Sequence, residues 1–146
     1  MTPTVAGGAD RAWTLVFAAW LLAAASTLGA LFFGEVMKVP TCVLCWYQRI
    51  FMFPLAIILP VGLFPFDARI VRYALLLAIL GWGFALFHVL LVAGYIPENV
   101  QPCTQGVPCS ETYFELFGFV TIPLLALVAF SIIIALLLAA HFQARK

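Results

Sequence analysis

Four cysteines fall in two close pairs, Cys42 with Cys45 in TCVLCWYQR and Cys103 with Cys109 in PCTQGVPC. In a C-x-x-C spacing one thiol can be attacked while the other resolves the mixed disulfide, so the first pair reads as a redox centre. Zinc sites use the same spacing. Cys45 stands about one turn before the apolar run that opens at Ile50, at a helix N-terminus, where the helix dipole favours thiolate over thiol. Arg49 follows four residues later, on roughly the same helical face, where its charge favours the same thiolate and an anionic acceptor beside it. Its plainer reading is a cation snorkelling to a membrane interface. Trp46 and Tyr47 fit an aromatic belt equally well.

The second pair brackets TQGVP, a turn-rich stretch. A bridge between Cys103 and Cys109 closes only a small ring and removes little unfolded-state entropy. It reads either as a structural staple or as a labile, exchangeable disulfide. His88 is the one ionisable residue deep inside an apolar run. Such a residue is a functional candidate, as a proton or hydrogen-bond donor to a small bound molecule; its plainer reading is a histidine bonded to a neighbouring helix.

What must position these groups is a set of membrane helices. Of the 146 residues, 66% are hydrophobic and 9% charged. A soluble domain is about 45–50% apolar and about 25% charged, so the excess must face lipid. A span needs about 20 apolar residues, and four segments qualify: about 13–33, 50–66, 73–96 and 116–140. Backbone groups in lipid must be satisfied internally, which makes these segments helices. Pro54, Pro60 and Pro65 in the second segment predict kinks that neighbouring helices re-satisfy. Ala25, Ser26, Gly29 and Ala30 predict close helix packing along the first. Thr112 and Glu115 form a capping-box pattern in TYFELFGF, which predicts a helix entering the interface there. The first segment is long for a signal-peptide h-region of about 7–15 residues, although the small residues near Ala30 resemble a cleavage site.

The predicted fold is all-α, an integral membrane four-helix bundle forming a single transmembrane domain over residues 1–146. Arg11, Arg69, Arg72, Arg145 and Lys146 fall on one side of four spans, and only Lys38 and Arg49 on the other. The positive-inside rule then makes both termini cytoplasmic. The loops of about 34–49 and 97–115, with all four cysteines, become extracytoplasmic, the oxidising side in a bacterium. A net charge of +1 with no basic run gives no footprint for nucleic acid.

Taken together, CVLCWYQR from Cys42 to Arg49, four spans and a cysteine pair in the last outer loop resemble the DsbB family of bacterial disulfide bond formation proteins. The resemblance covers Trp13 to Phe142. The close spacing in CTQGVPC is nearer to the short-loop, Bacillus-type (BdbC-like) branch, and Gln48 stands where many members carry an acid. The resemblance implies a thiol:quinone oxidoreductase in the bacterial cytoplasmic (inner) membrane. By the same resemblance, Cys103 takes a mixed disulfide with a soluble thioredoxin-fold DsbA-type partner. Cys109 hands the reducing equivalents to Cys42. Cys45, as thiolate, contacts a membrane quinone, ubiquinone or menaquinone. Arg49 resembles the arginine that supports quinone and thiolate, and His88 the histidine near the quinone. No metal is implied.

Three other readings stay open on the sequence. A vitamin K epoxide reductase-like enzyme shares a four-helix core and quinone use, but its loop cysteines precede the C-x-x-C. A non-enzymatic four-span protein would hold two inert structural disulfides. A metal-binding membrane protein would need four reduced thiols, and five residues separate Cys103 from Cys109 where zinc pairs have two to four.

Overall fold

The computed structural model describes residues 4–100, 103, 108–110, 115–116 and 120–145. Among the described residues, four helices are long and apolar enough to cross a membrane. Helix α1 runs Thr4–Leu31 and passes into a π-helical turn, Phe32–Val36. Helix α2 is Val43–Leu63, α3 is Ala68–Val92 and α4 is Ile122–Gln143. A single 3-10 turn, Glu98–Val100, follows α3. Strands β1 (Glu115–Leu116) and β2 (Val120–Thr121) pair antiparallel just before α4. The chain is an all-α membrane bundle, as its composition requires.

Each helix packs on two neighbours, closing a ring in the order α1, α2, α3, α4. Small residues let the backbones approach, as in lipid where no hydrophobic force drives helices together. Ala19 and Ala23 of α1 and Ala74 and Ala78 of α3 are fully buried among Leu55, Leu59, Phe130 and Ile133. Gly81 lies against Phe130, and a Cβ there would collide with that ring and come within 3.0 Å of Phe51 Cβ. Ile57, Val61, Tyr73 and Leu76 point outward, where lipid is the solvent.

Pro54 and Pro60 lie inside α2, whereas Pro65 falls beyond its end at Leu63. Pro60 has no N–H to offer the carbonyl of Ala56. Trp20 Nε1 donates to that carbonyl from α1 at 3.1 Å. Trp13 Nε1 donates to the Leu63 carbonyl in the last turn of α2, at 3.4 Å. Asp67 caps α3 by accepting the Arg69 N–H at 2.8 Å. Gly94 ends the same helix in the left-handed region, φ +80°, with Tyr95 N–H returning to the Leu90 carbonyl at 3.0 Å.

Two expectations fail. Where a helix was expected, Glu115 and Leu116 pair as a strand with Thr121 and Val120, and Thr112 and residues 117–119 lie outside the described residues. The cause lies in Val120 and Thr121, β-branched residues that favour a strand, and in Pro123, which is tolerated only in a first helical turn. Helix α4 therefore starts at Ile122 rather than 116. The second failure concerns Ala25, Ser26, Gly29 and Ala30. They do not pack tightly against another helix; they line a cavity, and a Cβ added at Gly29 would meet nothing within 4 Å.

Candidate redox site

The site lies at one end of the bundle. Helix α2 begins at Val43, seven residues before the predicted Ile50, so Cys42 is the N-cap and Cys45 sits in the first turn. As N-cap, Cys42 Sγ accepts the Cys45 N–H at 3.4 Å, one of the donors a helix start leaves without an intrahelical partner. The two sulfurs are 2.9 Å apart and not bonded. His88 Nε2 lies 3.7 Å from Cys42 Sγ. The hydrogen bond with the Cys45 thiol, more than any other contact, lowers the Cys42 thiol well below its ordinary range. Burial opposes this and His88 reinforces it. The sequence placed the thiolate on Cys45; in this reduced pair the converging donors face Cys42.

Cys103 and Cys109 are joined to each other, with Cα atoms 5.9 Å apart. Four free thiolates for zinc are therefore not the arrangement present. The loop disulfide packs directly on the C-x-x-C: Cys42, Leu44, Leu91, Cys103 and Cys109 form one buried cluster. Cys103 retains 9% of its surface and Cys109 only 1%, so Cys103 is the more accessible residue.

His88, in the penultimate turn of α3, is 2% exposed. Its Nδ1 accepts from Gln48 Nε2 at 3.1 Å, and its Nε2 donates to the Cys109 carbonyl at 3.2 Å. The sequence put His88 beside a bound molecule, about two turns below a helix end at Ile96. Helix α3 stops at Val92, and His88 faces the sulfurs and the loop backbone.

On the other side of Cys45 a cavity of about 470 Å³ opens between α1, α2 and α4. Its wall is largely apolar, with Gly29, Phe33 and Leu125, and its polar groups are Ser26, Thr41, Cys45, Gln48 and Arg49. His88 is not part of the wall. Arg49 Nη2 donates to the Ala30 carbonyl at 2.8 Å, and its guanidinium carbon lies 5.3 Å from the Trp46 ring centroid. That position depends on Gly34 in the π-helical turn, where a Cβ would stand 2.9 Å from Nη2.

Sequence reasoning named Cys42, Cys45, Cys103, Cys109, Arg49 and His88, and the structure gathers them at one end of the bundle. That reasoning missed Gln48, Gly34 and the Ala30 carbonyl. Gln48 carried a signal, since a polar amide in a membrane span is seldom idle. Gly34 and Ala30 carried none, because their parts depend on the helix contact.

Residues 10–140 match the family described as "Disulfide bond formation protein DsbB". A "Probable disulfide formation protein" of Metapseudomonas resinovorans is 53% identical over 127 residues, 86% of this chain and 88% of the relative. "Disulfide bond formation protein C" of Bacillus subtilis (strain 168) is 46% identical over 121 residues, 82% of this chain and 86% of the relative. A "Probable disulfide formation protein" of Coxiella burnetii (strain CbuK_Q154) is 38% identical over 134 residues, 90% of each chain. No solved structure matches. With the match running through both cysteine pairs and all four helices, the chain belongs to the DsbB family of disulfide bond formation proteins.

Proposed function

We propose that the protein is a thiol:quinone oxidoreductase of the bacterial inner membrane, with its cysteines on the extracytoplasmic side. It reoxidises a soluble thioredoxin-fold dithiol protein of the DsbA type. Its relatives' names speak only of disulfide formation. The observation that carries the reading is the contact of the loop disulfide, the C-x-x-C and an apolar cavity in series. Cys103, the more exposed cysteine of the loop pair, receives the partner's thiolate. Cys109 passes the reducing equivalents to Cys42, which it packs against. Cys45 closes the series, because it lies both beside Cys42 and on the cavity wall.

The cavity suits a quinone ring. About 470 Å³ of largely apolar space fits a small cofactor, and a few polar groups fix its orientation. Arg49 supplies donors for a carbonyl oxygen and charge for a reduced, anionic ring, while Ala30 and Gly34 hold the guanidinium at the cavity. Cys42 and Cys45 would join as a disulfide, losing two electrons and two protons, and a quinone held there would supply the two-electron, two-proton acceptor. A DsbA-type partner has a potential of about −120 mV, so only an acceptor of higher potential can reoxidise it.

Mixing dithiol-reduced protein anaerobically with a soluble quinone tests the lipid-side half alone. Quinone absorbance should fall by one equivalent per reduced pair. Arg49→Ala should slow the loss and Cys45→Ser abolish it. Quinone loss untouched by Cys45→Ser would sink the reading.

A further inference from the structure

His88 is left unexplained by a role at the cavity, although its partner Gln48 reaches that wall. His88 is buried, takes no part in the wall, and touches both cysteine pairs. Its protonation pattern follows from its partners. The Cys109 carbonyl can only accept, so His88 Nε2 carries the hydrogen. In the neutral ring Nδ1 must then accept, which the Gln48 amide satisfies. The same Nε2–H that holds the loop backbone lies 3.7 Å from Cys42 Sγ.

Resting on the relay proposed above, we infer that His88 is a catalytic residue of the exchange between the two cysteine pairs, stabilising Cys42 as a thiolate. Gln48 is its positioning residue and fixes the ring tautomer. The step that produces the arrangement seen here starts from a Cys42–Cys109 disulfide. The Cys103 thiolate attacks Cys109 Sγ. The Cys103–Cys109 bond forms, the Cys42–Cys109 bond breaks, and the electron pair leaves on Cys42 Sγ. One disulfide replaces another, so no oxidant is consumed. The departing sulfur lands facing the Cys45 N–H and the His88 N–H. In reverse, the same donors steady Cys42 as it attacks the loop. By holding the Cys109 carbonyl, His88 also keeps the two reacting sulfurs in one cluster.

Among the described residues, few other charges bear on Cys42. From α2 it faces Cys45, with Arg49 a turn further on and bonded toward α1. From α3 it faces His88, and from the loop the Cys103–Cys109 disulfide, which does not titrate. Asp10 and Arg11 of α1 and His141 of α4 belong to the opposite end of the bundle. Glu35 and Lys38, nearer by, are exposed and paired with each other at 3.9 Å.

The test uses full-length protein carrying Cys45→Ala, with the loop disulfide intact, so that Cys42 is the single free thiol. Its ultraviolet thiolate absorbance is followed against pH, with neither partner nor quinone present. His88→Leu should lower the thiolate fraction at a fixed sub-saturating pH about tenfold, equivalent to a one-unit rise in midpoint. His88→Gln, which keeps an N–H donor, should recover most of that loss. Gln48→Leu, which leaves the tautomer unfixed, should move the curve in the same direction by less. Should His88→Leu not insert, the Gln48→Leu curve decides. An unchanged curve overturns the inference; if quinone reduction is lost as well, His88 serves the cavity side. Failure of the relay itself would show separately, as absence of partner oxidation by a protein whose Cys42 curve shifts as stated.

Discussion

Arg49 and Gly34 form a pair that neither residue type announces. The guanidinium reaches the Ala30 carbonyl because position 34 has no side chain. In Gly34→Ala the methyl group displaces the far end of a flexible side chain, so the fold should survive with a loss below about 0.5 kcal/mol. The displaced guanidinium should raise the quinone KM severalfold while the Cys103–Cys109 disulfide still forms. Steady-state quinone reduction with a count of free thiols checks both halves; an unchanged KM would remove Arg49 from the acceptor site. The four cysteines and Arg49 were legible because each is a rare type at a telling spacing. Gln48 was legible only as a departure from a pattern. Its role depends on α3 presenting His88 to it, and no local spacing in α2 encodes that contact.

At the scale of elements, the two tryptophans of α1 do what water does for a soluble kinked helix. Trp20 takes the carbonyl that Pro60 leaves without a partner. Removing that donor with Trp20→Phe should cost about 0.6–2 kcal/mol, the range for hydrogen bonds between membrane helices. Unfolding in mixed micelles measures it, and a paired Pro60→Ala variant should recover the loss by restoring the α2 ladder. Gly81→Ala drives a methyl group into Phe130 and should cost about 1–3 kcal/mol in the same assay. Hydropathy revealed the four helices because lipid dictates it over about 20 residues. It did not reveal their ends. Helix α2 starts early at a cysteine cap, and α4 starts late at Pro123, since caps and prolines act locally and outweigh the average. The small residues near Gly29 were misread for a related reason. Smallness allows either close packing or empty space, and only the neighbouring helices decide which.

Across the whole molecule the bundle separates two environments. A Cβ at Gly8 of α1 would lie 3.5 Å from the Gln143 carbonyl of α4, so both chain ends meet at one end. Arg69 and Arg72 start α3 at that same end, and the cysteines occupy the other. In a serine-for-cysteine background, Lys38→Cys should react with a membrane-impermeant maleimide in intact cells, and Ala144→Cys only after lysis. The reverse pattern would invert the proposed orientation. Gly29 faces the cavity with nothing within 4 Å of an added Cβ, so a bulky Gly29→Leu should fold normally and raise the quinone KM. The central claim is that electrons cross from a soluble dithiol to a lipid-side quinone through the two cysteine pairs. Its most direct test follows the free thiols of a reduced thioredoxin-fold partner mixed with the purified protein, with and without quinone. Many turnovers of partner oxidation that require quinone and vanish in Cys45→Ser are the predicted result. A single stoichiometric exchange, the same with and without quinone, would contradict the account and leave the disulfides as structural staples.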